Sequence, residues 1–387
     1  MAGHRKRRRV SSAIWLAVVP AGALLVGLTV YAFHGARPAP ARPSARTAQP
    51  AGISPRNLVV ASLPYWNIGQ GTSAVLTHRW AVDEVSPWMY GLSNNGRIVL
   101  DSGINAPAFT SYLDRLRAQG LPIVPTLANV DPAGNWSYRL AARMLHHPAL
   151  MAKQVSAIVA LVQQGRYAGI DLDYEELHAG DRAAFTMFVT RLATALHAVG
   201  KILSVALFAK ASDAGYAPRN VAQDYAAIGR AADQVRLMGY DYHWNTSPPG
   251  PIAPVSWIRA VLRYATTQIP ARKIILGIPC YGYDWTGHHG APVTWMQAVK
   301  LASDHHATVR YDTSGQAPWF TYRSASGTKH TVWFENAESS KAKFSLARAA
   351  GLGGVYLWMY GNGEPSTWSA LRQVLPAGTR AAVKVAP

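Results

Sequence analysis

From Asn57 onward, short apolar segments alternate with stretches of helical periodicity, and this alternation constrains the fold more than any other feature of the chain. Strands are expected at 58–63, 82–87, 122–127, 169–173, 203–208, 234–238, 274–279 and 354–358. The stretches 183–199, 256–267 and 341–350 carry helical periodicity between them. Parallel strands need crossover connections, so eight strands separated mostly by helices predict an α/β fold, a (β/α)₈ TIM barrel. The segment 282–350 is too long for one crossover. Strands at 307–311, 319–322 and 331–334, with Ser326-Gly327 at a turn, predict a small α+β insertion after strand seven. In such a barrel an insertion there stands at the C-terminal rim, where the βα loops gather.

The first residues have a different character. Arg5, Lys6, Arg7, Arg8 and Arg9 precede an uncharged apolar run over 13–33. At about 1.5 Å per residue, such a run spans roughly 31 Å as a helix, enough for a bilayer core. The basic flank would stay in the cytoplasm, with the remainder outside. A secretory h-region is shorter, and the best small-residue cleavage pattern, Ala39-Pro40-Ala41, lies well beyond the run. Residues 1–34 are therefore expected to be an anchor in the cytoplasmic membrane, and the protein to be extracytoplasmic, secreted if the segment is cleaved. Residues 35–55, rich in Pro, Ala and Arg, read as an extended linker, 56–375 as the barrel and 376–387 as a tail.

Charge and cysteine usage narrow the partners. The net charge is +18, and the eight Lys and Arg of residues 1–50 leave about +10 for the remainder. A basic surface suits an acidic envelope, but no dense Lys/Arg stripe outside the N-terminus points to nucleic acid. Cys280 is the single cysteine, which precludes an intrachain disulfide; following an apolar strand, it reads as a small buried hydrophobe. The pairs His146-His147, His288-His289 and His305-His306 lack the i, i+4 spacing of a helical zinc site, so no metal is expected from them.

The stretch Gly169-Ile170-Asp171-Leu172-Asp173-Tyr174-Glu175 is the most informative in the chain. Alternation puts Asp171, Asp173 and Glu175 on one face and Ile170, Leu172 and Tyr174 on the other. With the apolar set against the outer helices, the acids point inward and Glu175 stands highest, at the mouth. Converging negative charges raise one another's pKa, so Glu175 could hold a proton near neutrality and act as a general acid. Oxygen ligands on alternate strand positions also suit Mg²⁺ or Ca²⁺, and acids at a solvated strand end need no function. Spacing alone leaves these three readings open.

The stretch resembles the signature DxxDxDxE of the family 18 glycoside hydrolases, the chitinase family. Leu237-Met238-Gly239-Tyr240-Asp241-Tyr242-His243 resembles that family's MxYD motif on strand six. Leu276-Gly277-Ile278-Pro279-Cys280-Tyr281-Gly282 is similar to its LGIPxYG segment on strand seven. Gly353-Gly354-Val355-Tyr356-Leu357-Trp358 is similar to strand eight, ending on the Trp that floors the sugar site. The likeness covers about residues 57–375, and is nearest to the bacterial spore-cortex and cell-wall branch. The motif's first Asp is Ala168 here, which predicts an altered inner hydrogen-bond network with the chemistry spared.

The resemblance implies a retaining glycosidase of β-1,4-linked N-acetylglucosamine polymers, either peptidoglycan or chitin, working without a cofactor. The substrate's 2-acetamido oxygen would be the nucleophile, Glu175 the proton donor and then the base. Asp173 would hold the acetamido N–H, with Asp171 sharing a proton behind it. Tyr240 would bond the acetamido oxygen, and Asp241 would help position it. Trp358 is the implied floor; Tyr65, Trp66, Trp88 and Trp244 follow strand ends and could stack on sugars, or equally pack in the core. The alternative function is a carbohydrate-binding envelope protein that keeps the barrel without turnover.

Overall fold

The structure, a computed structural model, describes residues 57–214 and 217–377. The expected anchor, the linker and most of the tail lie outside the described residues; within them, no helix is long and apolar enough to cross a membrane. Eight parallel strands close a barrel: β1 Leu58–Pro64, β2 Glu84–Leu92, β3 Thr126–Ala128, β4 Gly169–Asp173, β5 Ile202–Phe208, β6 Gln234–Met238, β7 Ile274–Pro279 and β8 Gly354–Trp358. Each pairs with its neighbours in order, and β1 joins both β8 and β2 to complete the ring.

The alternation expected for β4 is realised. Ile170, Leu172 and Tyr174 are wholly buried in the main core, on the face away from the two aspartates. The Tyr174 ring stacks at 6.3 and 5.8 Å on Phe185 and Phe188 of helix Arg182–His197. That helix stops two residues short of its expected end. Gly200 turns left-handed at φ +67°, and the Lys201 N–H closes on Leu196 O at 2.9 Å, a helix-ending geometry that glycine adopts without strain.

β1 and β5 each run one residue longer than expected, and two strands differ by more. β2 starts two residues later than expected and runs on to Leu92, because 89–92 are buried and 90–92 pair with a short antiparallel strand, Ile98–Leu100, that the sequence did not reveal. β3 is shorter, because Pro122 and Pro125 have no N–H for the ladder. After β7 the chain builds an antiparallel sheet in the order His289–Val293, Gly282–Thr286, Lys329–Trp333, Ala317–Arg323 and Arg310–Asp312. Helix Trp295–Asp304 covers one face, over Phe320, Val332 and Phe334. The first hairpin, with Gly287 at φ +61°, sits in a Gly- and His-rich stretch whose low apolarity hid it. Helix Ala337–Ala349 returns to the barrel and packs on β7, β8 and the final helix, Thr367–Val374.

Candidate active site

The inward face of β4 brings Asp171 and Asp173 into the lumen, 3% and 8% exposed, and the chain leaves the strand with Glu175 half-buried above them. Asn129, fully buried just after β3, fixes that exit. Its Oδ1 accepts the Glu175 N–H at 2.8 Å, and its Nδ2 donates to Glu175 O at 2.8 Å. Burial and the neighbouring Asp173 charge push the Glu175 carboxyl well above the usual carboxylate range, against the pull of Arg219. Burial and the Asp171 charge push Asp173 up to about 7, with the Trp88 indole and Arg236 pulling the other way. Trp88 Nε1 donates to Asp173 Oδ2 at 3.4 Å, while Oδ1 of both Asp171 and Asp173 is buried without a hydrogen-bond partner.

Below the acids lies a charge network that sequence reasoning missed. Arg236 on β6 reaches across the lumen, with Nη1 3.0 Å from Asp171 Oδ2 and Nη2 2.8 Å from Glu84 Oε1 on β2. Gln234 donates to the second Glu84 oxygen at 2.9 Å, and the Thr126 hydroxyl donates to Asp171 Oδ2 at 3.0 Å. The guanidinium thus supplies positive charge between Asp171 and Glu84. Alternation on β6, with Val235 and Leu237 in the outer core, was the available signal for an inward Arg236. Ala168 takes no part in this network. It shares the outward face with Ile170, half-buried at the foot of β4, so the expected disturbance of the inner hydrogen bonds does not arise there.

Tyr240 follows β6, and its hydroxyl meets that of Tyr356 from β8 at 2.9 Å. Burial first, then the Tyr356 hydroxyl and nearby carboxylates, push the Tyr240 phenol well above its usual range, so it remains a proton donor. Asp241 adopts φ +56° and turns its carboxylate to two tyrosines beyond β7: Tyr281 donates to Oδ1 at 2.5 Å and Tyr283 at 3.3 Å. Tyr281, Tyr283 and Tyr356 were not singled out from the sequence, although Tyr281 and Tyr356 lie inside the motifs that were.

The aromatic residues form a line. Trp358 stacks near-parallel to Tyr240 at 6.4 Å and meets Trp66 edge-on at 6.3 Å. Trp66 continues to Trp88 at 5.6 Å and Tyr65 at 4.9 Å, and Trp88 to Trp136 at 6.4 Å. Trp66 and Trp136 remain 54% and 37% exposed, available to a ligand; Trp136 was not anticipated. Trp244, 43% exposed, makes no ring contact with this line, and its carbonyl instead accepts the Trp285 indole at 3.1 Å. Across the mouth, Tyr283, Trp333, Trp319 and Arg310 form one cross-strand row of the insertion's sheet, with the two Trp rings stacked at 5.5 Å. The expectation for Cys280 is met: it is 2% exposed and burial pushes its thiol up.

Comparison with known proteins agrees with this geometry. The profile described as "Glycosyl hydrolases family 18" matches residues 133–363. The cortical fragment-lytic enzyme of Bacillus subtilis is 31% identical over 304 residues, covering 75% of this chain and 69% of that protein. A solved chitinase from Chromobacterium violaceum is 33% identical at a TM-score of 0.78, covering 84% of this chain and 100% of its own. The spore cortex-lytic enzyme SleL of Bacillus cereus superposes at a TM-score of 0.75 with 27% identity, over 83% of this chain and 75% of its own. The profile spans residues 133–363, and the relatives and solved structures extend the likeness over most of the barrel: the chain belongs to family 18 of the glycosyl hydrolases, in its spore-cortex branch, and is a glycosidase.

Proposed function

We propose that the chain cleaves β-1,4-linked N-acetylglucosamine polymers with retention of configuration, using the substrate's own acetamido group as nucleophile. The observation that carries this reading is the ladder on β4, in which only Glu175 reaches the mouth while Asp173 waits beneath it with a bare buried oxygen. Glu175, its carboxyl raised chiefly by burial, protonates the leaving oxygen. The acetamido oxygen attacks the anomeric carbon, and the resulting oxazolinium is stabilised by Asp173 and by the Tyr240 hydroxyl. Asp171 shares a proton with Asp173, and Asp241 orients the substrate beside Tyr240. Glu175 then takes a proton from the water that opens the intermediate. Trp358 floors the reacting sugar; Tyr65, Trp66 and Trp88 extend the platform, and Trp136 continues it. Trp244 stands apart from that platform and serves a more distant sugar.

The polymer we propose is peptidoglycan. The net charge of about +10 that remains outside residues 1–50 suits an acidic envelope, and the apolar run 13–33 behind five basic residues suits an anchor that keeps the barrel outside the cytoplasmic membrane.

Glu175→Gln preserves shape and removes the transferable proton, so kcat should fall by at least about 10²-fold while binding of an oligosaccharide persists. Near-normal turnover by this variant would remove Glu175 from the mechanism. Wild-type protein that binds oligomers without releasing product would instead make it a carbohydrate-binding protein. A substrate whose reacting sugar carries a free amine at C2 should bind and barely react, and a thiazoline analogue of the oxazolinium should inhibit strongly. Efficient cleavage of a glucan without acetamido groups would return the mechanism to two carboxylates. Digests of whole sacculi and of colloidal chitin, compared by mass spectrometry, should release fragments from the sacculi; release from chitin alone would reverse the choice of polymer. Residues 1–34 fused to a periplasmic reporter should carry it outward and hold it in the membrane fraction, whereas a shortened soluble product would show cleavage.

A further inference from the structure

Arg236 is 2% exposed and ties three strands together inside the barrel. Its Nη2 lies 2.8 Å from Glu84 Oε1, and its Nη1 lies 3.0 Å from Asp171 Oδ2 while donating to Ser86 Oγ at 2.5 Å. The donors are divided unequally between the two aspartates. Asp171 Oδ2 receives a guanidinium and, at 3.0 Å, the Thr126 hydroxyl. Asp173 Oδ2 receives only the Trp88 indole, at 3.4 Å, and its Oδ1 has no partner. Neighbouring carboxylates in a dry lumen do not both ionise freely. Donors stabilise an anion, so the charge settles where the donors are.

We infer that Arg236 is a positioning residue for hydrolysis: its ion pair fixes the charge of the Asp171–Asp173 pair on Asp171 and leaves the shared proton on Asp173. Asp173 is then uncharged in the empty site and can turn from Asp171 towards a bound acetamido group without moving a charge through the lumen. This inference rests on the roles proposed above for Asp171 and Asp173.

The other groups facing the pair fit this assignment. Glu84 lies on β2 beyond the guanidinium; burial raises its carboxyl against the pull of Arg236. Tyr356 of β8 and Tyr240 above β6 are pushed well above the usual tyrosine range by burial and stay neutral. Glu175, also raised, stands at the mouth. Ser62 of β1 and Ser204 of β5 carry no charge. Arg236 therefore supplies positive charge to a cluster of carboxylates, and it sets the pH at which the pair becomes doubly protonated.

The test is the pH dependence of kcat/KM for the full chain on a peptidoglycan fragment and a chitin oligomer, from about pH 4 to pH 9. The pair must carry one negative charge, so activity is lost on the acid side as the second proton binds. Removing a cation raises the pKa of every neighbouring acid. Arg236→Gln should therefore shift the acidic limb upward by at least about one pH unit and lower kcat about tenfold or more, with a smaller change in KM. Arg236→Lys keeps the charge and should hold the limb close to the wild-type position. Glu84→Gln removes the competing anion and should move the limb in the opposite direction, to lower pH. A purely structural Arg236 would lower the melting temperature of these variants and leave the limb in place, which overturns the inference. An upward shift in Glu84→Gln also overturns it. If Arg236→Gln does not fold, the Lys and Glu84 variants decide by the same criteria. A folded wild type that cleaves neither glycan fails the functional reading first, and the inference with it; an active wild type with unmoved limbs fails the inference alone.

Discussion

The structure depends on how the lumen of the barrel accommodates charge. Glu84, Asp171, Asp173 and Arg236 are all under 9% exposed, in a space that most barrels of this size fill with branched hydrocarbons. A buried charge left unpaired costs several kcal/mol, so the strands are constrained to bring these groups together. Arg236 satisfies that constraint from the opposite side of the ring. β6 lies two strands from β4, and only a side chain as long as arginine spans from there to both β4 and β2. Asp173, one step higher, escapes the pairing, so two successive inward positions on β4 have different surroundings, one ion-paired and one with a bare buried oxygen.

Above the lumen the site is held by bonds between successive βα loops. Asn129 after β3 locks the backbone of Glu175 after β4 through both ends of its amide. Tyr356 of β8 aims the Tyr240 hydroxyl, and the tyrosines beyond β7 hold Asp241 in its left-handed turn. Each group that would touch substrate is thereby placed by a neighbour on a different strand, the arrangement needed for positioning to a fraction of an ångström. The insertion contributes through the same tyrosines, since Tyr283 both bonds Asp241 and starts the aromatic row towards Trp333 and Trp319.

Local order along the chain made much of this legible. Period-two alternation in 169–175 put the acids on one face, and short apolar runs marked the strands, because burial against an outer helical layer demands that pattern. Where burial did not impose it, the sequence was mute. The strands Ile98–Leu100 and His289–Val293 lie mostly outside the core, the first only three residues long and the second glycine- and proline-containing, and their pairing depends on partners rather than on their own composition. The aromatic platform was half-visible. Tyr65, Trp66, Trp88 and Trp358 stand at strand ends, but Trp136 lies on a loop, and Trp244, though near a strand end, makes no ring contact with the platform and offers its carbonyl to Trp285.

By itself the sequence determined the barrel, the acidic strand and the family, because each is written in contiguous segments whose spacing survives without knowledge of the rest. The tertiary structure alone decided which residues complete the site. Glu84 and Arg236 are about 150 positions apart, and Asn129 and Glu175 are separated by 46, so no local pattern connects them. They meet because closing the ring of strands brings every inward side chain to a common axis. In that dry space a carboxylate must find its partner wherever along the chain that partner lies.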